Sequence, residues 1–169
     1  MSRITREAMV RAIPKVRAMS GVEREELADE LFRTQPHFFG SILVQQRLGV
    51  SLVKMEFLLD LLFVCFQAMK ESGLPWPLIT EDELDRQSQR FAAIATFGDG
   101  LGSELRERSM LQYIEDHPEK ELLAYVQMET MEWLKTVVAE ESDKYVMMAS
   151  WNIVNCIAFV PMTAANTEQ

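Results

Sequence analysis

Two pairs of glutamates share a spacing that could hold a metal. Glu104-Leu-Arg-Glu107 and Glu129-Thr-Met-Glu132 each set two carboxylates three residues apart, on one face of a helix. Between the pairs lies His117-Pro118, a break that suits the turn between two helices. Glu104 and Glu107 lie 13 and 10 residues before His117; Glu129 and Glu132 lie 12 and 15 residues after it. Antiparallel packing of the two helices would bring the pairs to similar height. Four converging carboxylates suit Mg²⁺ or Mn²⁺, which take oxygen ligands. The same spacing also makes an ordinary solvated acidic face, because glutamate is a common surface residue of helices.

The arrangement is loosely similar to the paired Glu-x-x-Glu and Glu-x-x-Asp motifs of all-α nucleoside triphosphate pyrophosphatases. The resemblance is confined to residues 104–132. The fourth position is Glu132 where that family has Asp, and the nearest basic residues are Arg106 and Arg108. The resemblance implies a Mg²⁺-dependent hydrolase, in which the carboxylates hold magnesium against a triphosphate and a metal-activated water attacks.

Other chemistry is sparse. His37 and His117 are the only histidines, each beside a proline, and neither follows a carboxylate at the Glu-x-x-His spacing of di-iron bundles. Serine nucleophile elbows and phosphate-loop motifs are missing. Phe97-Gly-Asp-Gly-Leu-Gly102 lacks a following lysine and carries Asp99 with Glu104 close behind, so it reads as an inter-helix turn. Cys65 and Cys156 show no CxxC or Cys/His metal spacing and sit in apolar segments, as buried free thiols do. With no nucleophile–base pair and no nucleotide loop, the expectation is a non-catalytic α-helical protein-interaction or regulatory domain without a cofactor. The Mg²⁺ hydrolase is the alternative.

The elements that must position these residues are helices. No stretch alternates polar and apolar residues between hairpin turns, so no strand is expected. The 169 residues carry a net charge of −9 and 48% apolar residues, which fits one globular domain over 1–161 and argues against nucleic acid as a partner. A basic helix over 4–19 holds Arg3, Arg6, Arg11, Lys15 and Arg17 around the stripe Ile4, Ala8, Ala12, Val16 and Met19, with Pro14 a kink or break. The simplest fate of that helix is to dock on the acidic body. Ser20-Gly-Val-Glu23 and Thr80-Glu-Asp-Glu83 read as capping boxes opening helices to about 33 and 97. Pro36 opens a helix ending near Gly49, and Ser51 caps one running to Glu71. Gly73, Pro75 and Pro77 make a linker over 72–79, where Trp76 could meet a partner. Helices follow over 104–115, 119–138 and 142–160, and 162–169 reads as a frayed tail. The expected architecture is an all-α bundle of seven to eight helices. Gln35-Pro36 and His117-Pro118 open similar helix pairs, which raises the option of two stacked repeats.

Helices 51–71 and 142–160 are apolar enough to be central. The stretch FLLDLLFVCFQAM, residues 57–69, is interrupted by Asp60 and is too short to span about 30 Å of hydrocarbon. The last helix carries Asn152 and Asn155, which are costly in lipid, so neither is expected to enter a membrane and the protein is expected in the cytoplasm. Glu56, Asp60 and Gln67 share a narrow band of the first helix, and Asn152 and Asn155 share a face of the second. A groove lined by these five residues is the expected binding site if the two helices pack together. The partner would be a protein, and a homodimer through an apolar helix face is compatible with the composition.

Overall fold

The computed structural model describes residues 1–100 and 102–162, with side chains throughout except at 95–99. The Asp99–Ser103 turn lies partly outside these residues, as does the tail beyond Met162. Among the described residues the structure is all-helical: α1 (Arg6–Arg17), α2 (Gly21–Thr34), α3 (Pro36–Leu43), α4 (Leu52–Glu71), α5 (Glu81–Asp99), α6 (Ser103–Asp116), α7 (Lys120–Leu134) and α8 (Asp143–Phe159). A 3₁₀ turn, Val44–Leu48, follows α3.

The helix starts follow local chemistry. Thr5, Ser20, Ser51 and Thr80 each accept a hydrogen bond from the backbone N–H three residues on, relieving a donor that the first helical turn leaves unpaired. Pro36 stands in the first turn of α3, where its missing N–H costs nothing. Two ends differ from expectation. The α3 helix tightens to 3₁₀ geometry after Leu43 and stops at Gly49, whose φ of 89° is left-handed. The α7 helix ends at Leu134 rather than near 138, because Thr136 turns back to the Trp133 carbonyl through both its N–H and its hydroxyl. Thr136, Val137 and Val138 are β-branched and weak helix formers in any case. Pro14 does not break α1, which runs through it to Arg17.

The α4 helix is the centre. Every residue from Leu61 to Met69 is buried, with α1, α3 and α8 packed around it. In turn, α8 packs against α4, α5 and α7. The stripe Ile4, Ala8, Ala12 and Val16 seats α1 along α4, and the small alanines permit close approach. The basic groups of α1 are used within the molecule. Arg11 and Lys15 both bond Glu71, Arg17 bonds Glu129 and Arg6 lies 3.6 Å from Glu121. Lys15 first, then Gln67, holds the Glu71 carboxyl below the usual range. At the periphery, α6 packs on α5 and α7 and buries no side chain fully. Trp76 is partly buried rather than offered to solvent; its indole N–H donates to the Met69 carbonyl and the Ser72 hydroxyl. Among the described residues no helix is long and apolar enough to cross a membrane.

Candidate functional site

The four glutamates do not converge. Glu104 pairs with Arg108 on its own helix, and Glu104 and Glu107 flank a hollow on α6. Arg17 of α1 holds Glu129, and Lys135 holds Glu132, which lies beside Met128 and Met131 on the outer face of α7. Among the described residues no three His, Cys, Asp or Glu side chains are grouped to hold a metal ion. The spacing along each helix is as expected. The rotation of α6 against α7 is what the sequence could not supply.

The five residues expected to line a groove are parted as well. Glu56 and Asp60 are exposed, and Asp60 bonds Arg24 of α2, whose guanidinium also lies over the Phe63 ring. Gln67 is buried and donates to Glu71 beside a cavity of about 400 Å³ between α1, α2 and α4. Asn152 donates to the Leu84 carbonyl of α5, and Asn155 is buried in a separate network. Among the described residues none of the five bonds another.

Asn155 anchors a largely buried polar network. Its Oδ1 accepts from the Tyr113 hydroxyl at 3.2 Å and lies 2.8 Å from His117 Nε2. The Glu119 backbone N–H donates to His117 Nδ1 at 3.0 Å, so the neutral tautomer carries its proton on Nε2 and donates it to Asn155. Burial pushes the His117 pKa below its ordinary value, and Arg90 adds to the effect; the bond to Asn155 and the charge of Glu119 oppose it without cancelling it. The unfolded chain therefore takes up a proton first. Stability is full above about pH 6.5, the ordinary histidine value, and is lost as pH falls from there toward the folded-state pKa. Urea titrations between neutrality and pH 5.5 should show stability declining with acid, and His117→Phe should flatten that slope. An unchanged slope in the variant would assign the effect elsewhere.

The Lys54 ammonium lies 2.6 Å from both Asp143 and Glu140 and donates to the Val138 carbonyl at 3.0 Å. The hydrogen bond to Asp143, then that to Glu140, raises its pKa, the reverse of what an amine nucleophile requires. Cys65 and Cys156 are free and buried, as expected; burial pushes the Cys65 thiol up to about 12 and Cys156 higher still. A thiol so shifted is protonated and unreactive.

What remains underused is a cleft. It opens between α3, α5 and α8, with a volume of about 430 Å³, and a smaller hollow of about 120 Å³ adjoins it. Ser41, Gln45, Ser88 and Asn152 line both. The Gln45 amide donates to the Ser41 carbonyl at 3.0 Å and the Asn152 amide to the Leu84 carbonyl at 3.2 Å. These bonds fix which amide atom is oxygen. Among the described residues, Gln45 Oε1 and Asn152 Oδ1 are buried without a hydrogen-bond partner, as is Gln87 Oε1 on the neighbouring helix. Each such atom costs about 1–3 kcal/mol, so two at one cleft are notable. Glu81 and Asp85 supply carboxylates to the same wall, and no lysine or arginine lines it. Val44 and Leu48, both exposed, form its apolar rim. Sequence reasoning found Asn152 but not Gln45, Glu81 or Asp85, because nothing local marks residues that meet across three helices.

No family model, curated protein or solved structure matches this chain.

Proposed function

We propose that this chain is a protein-interaction domain that docks a partner on the end of the bundle formed by the 3₁₀ turn and the start of α4. The supporting observation is one of clustering. Within residues 43–53, Leu43, Val44, Leu48, Leu52 and Val53 all remain exposed, the last two at 65% and 68%. Single exposed apolar residues are ordinary, but several in one short stretch mark a contact surface. The α7–α8 loop lies against this end, since Lys54 grips the Val138 carbonyl, and Val138 itself is 83% exposed. Arg47, Glu56 and Glu141 supply the polar rim that such interfaces carry. A second copy of the chain and a different protein are both compatible partners.

The test is photo-crosslinking in cells. The photoreactive residue p-benzoylphenylalanine is placed at position 52 and, as a control, at exposed position 25 on α2. Position 52 should yield a discrete adduct that Val53→Glu abolishes, and position 25 should not. Adduct size separates a homodimer from another partner. Equal labelling at both positions, or none at 52, removes the proposal.

A further inference from the structure

We infer that the cleft between α3, α5 and α8 receives a lysine or arginine side chain of the partner protein. The inference rests on the docking reading above, because Val44 and Leu48 belong to both the apolar end and the cleft rim. Beside the Ser41 and Ser88 hydroxyls and the His37 ring, the unpartnered polar atoms of the cleft are hydrogen-bond acceptors. Gln45 Oε1 and Asn152 Oδ1 have no donor among the described residues, while the amide nitrogens beside them are already spent on backbone carbonyls. Asp85 has no ion pair among the described residues, and the one charged neighbour of Glu81 there is His37 at 3.5 Å, cationic only when protonated. An anion would meet carboxylates, and a neutral apolar group would leave the amide oxygens unpaired. A cation with several N–H donors on an apolar stem satisfies both demands: the stem lies along Val44 and Leu84, and the head meets the oxygens. Both oxygens are buried, so entry of the donor turns each amide about its soft sp³–sp² torsion and stretches its bond to the Ser41 or Leu84 carbonyl. The rest of the chain is net negative, which favours a basic partner surface over long range.

The test is nitrogen-labelled NMR of the full chain with three probes: acetyl-Leu-Ala-Lys-Ala-Leu-amide, the same peptide with norleucine for lysine, and spermidine. The lysine peptide should move the Gln45 and Asn152 side-chain amide signals saturably and bind about tenfold more tightly than the norleucine peptide, a gap typical of one desolvated charge pair. Glu81→Gln with Asp85→Asn, both exposed positions, should erase that gap without moving the melting temperature. Equal response to both peptides, or no response to either, overturns the inference. Spermidine acting where the lysine peptide does not also overturns it, by making the occupant a small amine. Failure here is distinct from failure of the docking reading: adducts from position 52 that persist in the doubly neutralised variant would keep the interface and discard the cation.

Discussion

Glu119→Ala should lower the melting temperature by about 6–20 °C and release the amino-terminal helix. Glu119 is completely buried, yet it is far from idle. One carboxylate oxygen accepts the Arg3 backbone N–H at 2.5 Å; the other accepts the Ile4 N–H at 2.9 Å and the Ser2 hydroxyl at 2.7 Å. Ile4 is itself fully buried, so its N–H would find no water if the carboxylate were removed. The same segment is tied a second time, since the Arg3 guanidinium donates to the carbonyls of Ile157 and Val160 at the end of α8. Hydrogen bonds to a charged group contribute about 1.5–3 kcal/mol each, and the two more exposed donors would recover part of that from water. A net loss of about 3–5 kcal/mol follows, and a domain of this size shifts by about 2–4 °C per kcal/mol. Calorimetry measures the loss, and hydrogen exchange should show α1 losing protection before α4. A shift of under about 3 °C would mean that the α1–α4 seam alone holds the segment.

The second large effect belongs to Asn155. Replacing it with leucine keeps much of the shape but orphans the buried His117 Nε2–H and the partly buried Tyr113 hydroxyl. A buried orphan costs about 1–3 kcal/mol and the partly buried hydroxyl recovers some of its loss from water, so Asn155→Leu should destabilise by about 2–4 kcal/mol. The informative measurement is the double variant. Tyr113→Phe added to Asn155→Leu removes one orphan and should be less damaging than the sum of the two single changes, because residues in one network do not add independently. Strict additivity in thermal unfolding would show that Tyr113 is held by its stacking on Trp151 and not by the amide.

The helices were legible because their signals are local. Ser20, Ser51, Thr80 and Pro36 each act within one turn of themselves, and the apolar stripe of α1 needs only the helical period to be seen. The two misjudged ends are also local. A 3₁₀ turn at Val44 and the hydroxyl of Thr136 differ from continued helix by small energies that neighbouring packing decides. The polar pairings were not legible. Asp60 bonds Arg24 and shares no groove with the asparagines of α8, and Asn155 bonds His117 and Tyr113 instead of the polar edge of α4. Glu119 offered no signal at all, since an acidic residue after proline reads as an ordinary helix start.

By itself, then, the sequence determined an all-α chain, a central place for α4 and α8, and the buried setting of both cysteines, while the burial of Gln67 within α4 came from tertiary packing. Composition and the helical period suffice for the first three, because apolar residues must leave water whatever they pack against. Tertiary structure alone decided that the Glu104 and Glu129 pairs do not group, that the basic face of α1 is spent on Glu71 and Glu129, and that Gln45, Asp85 and Asn152 meet at one cleft. Such meetings depend on the rotation and offset of whole helices. A turn of one helix by a single residue swings its side chains through about 100°, and no local signal sets that angle.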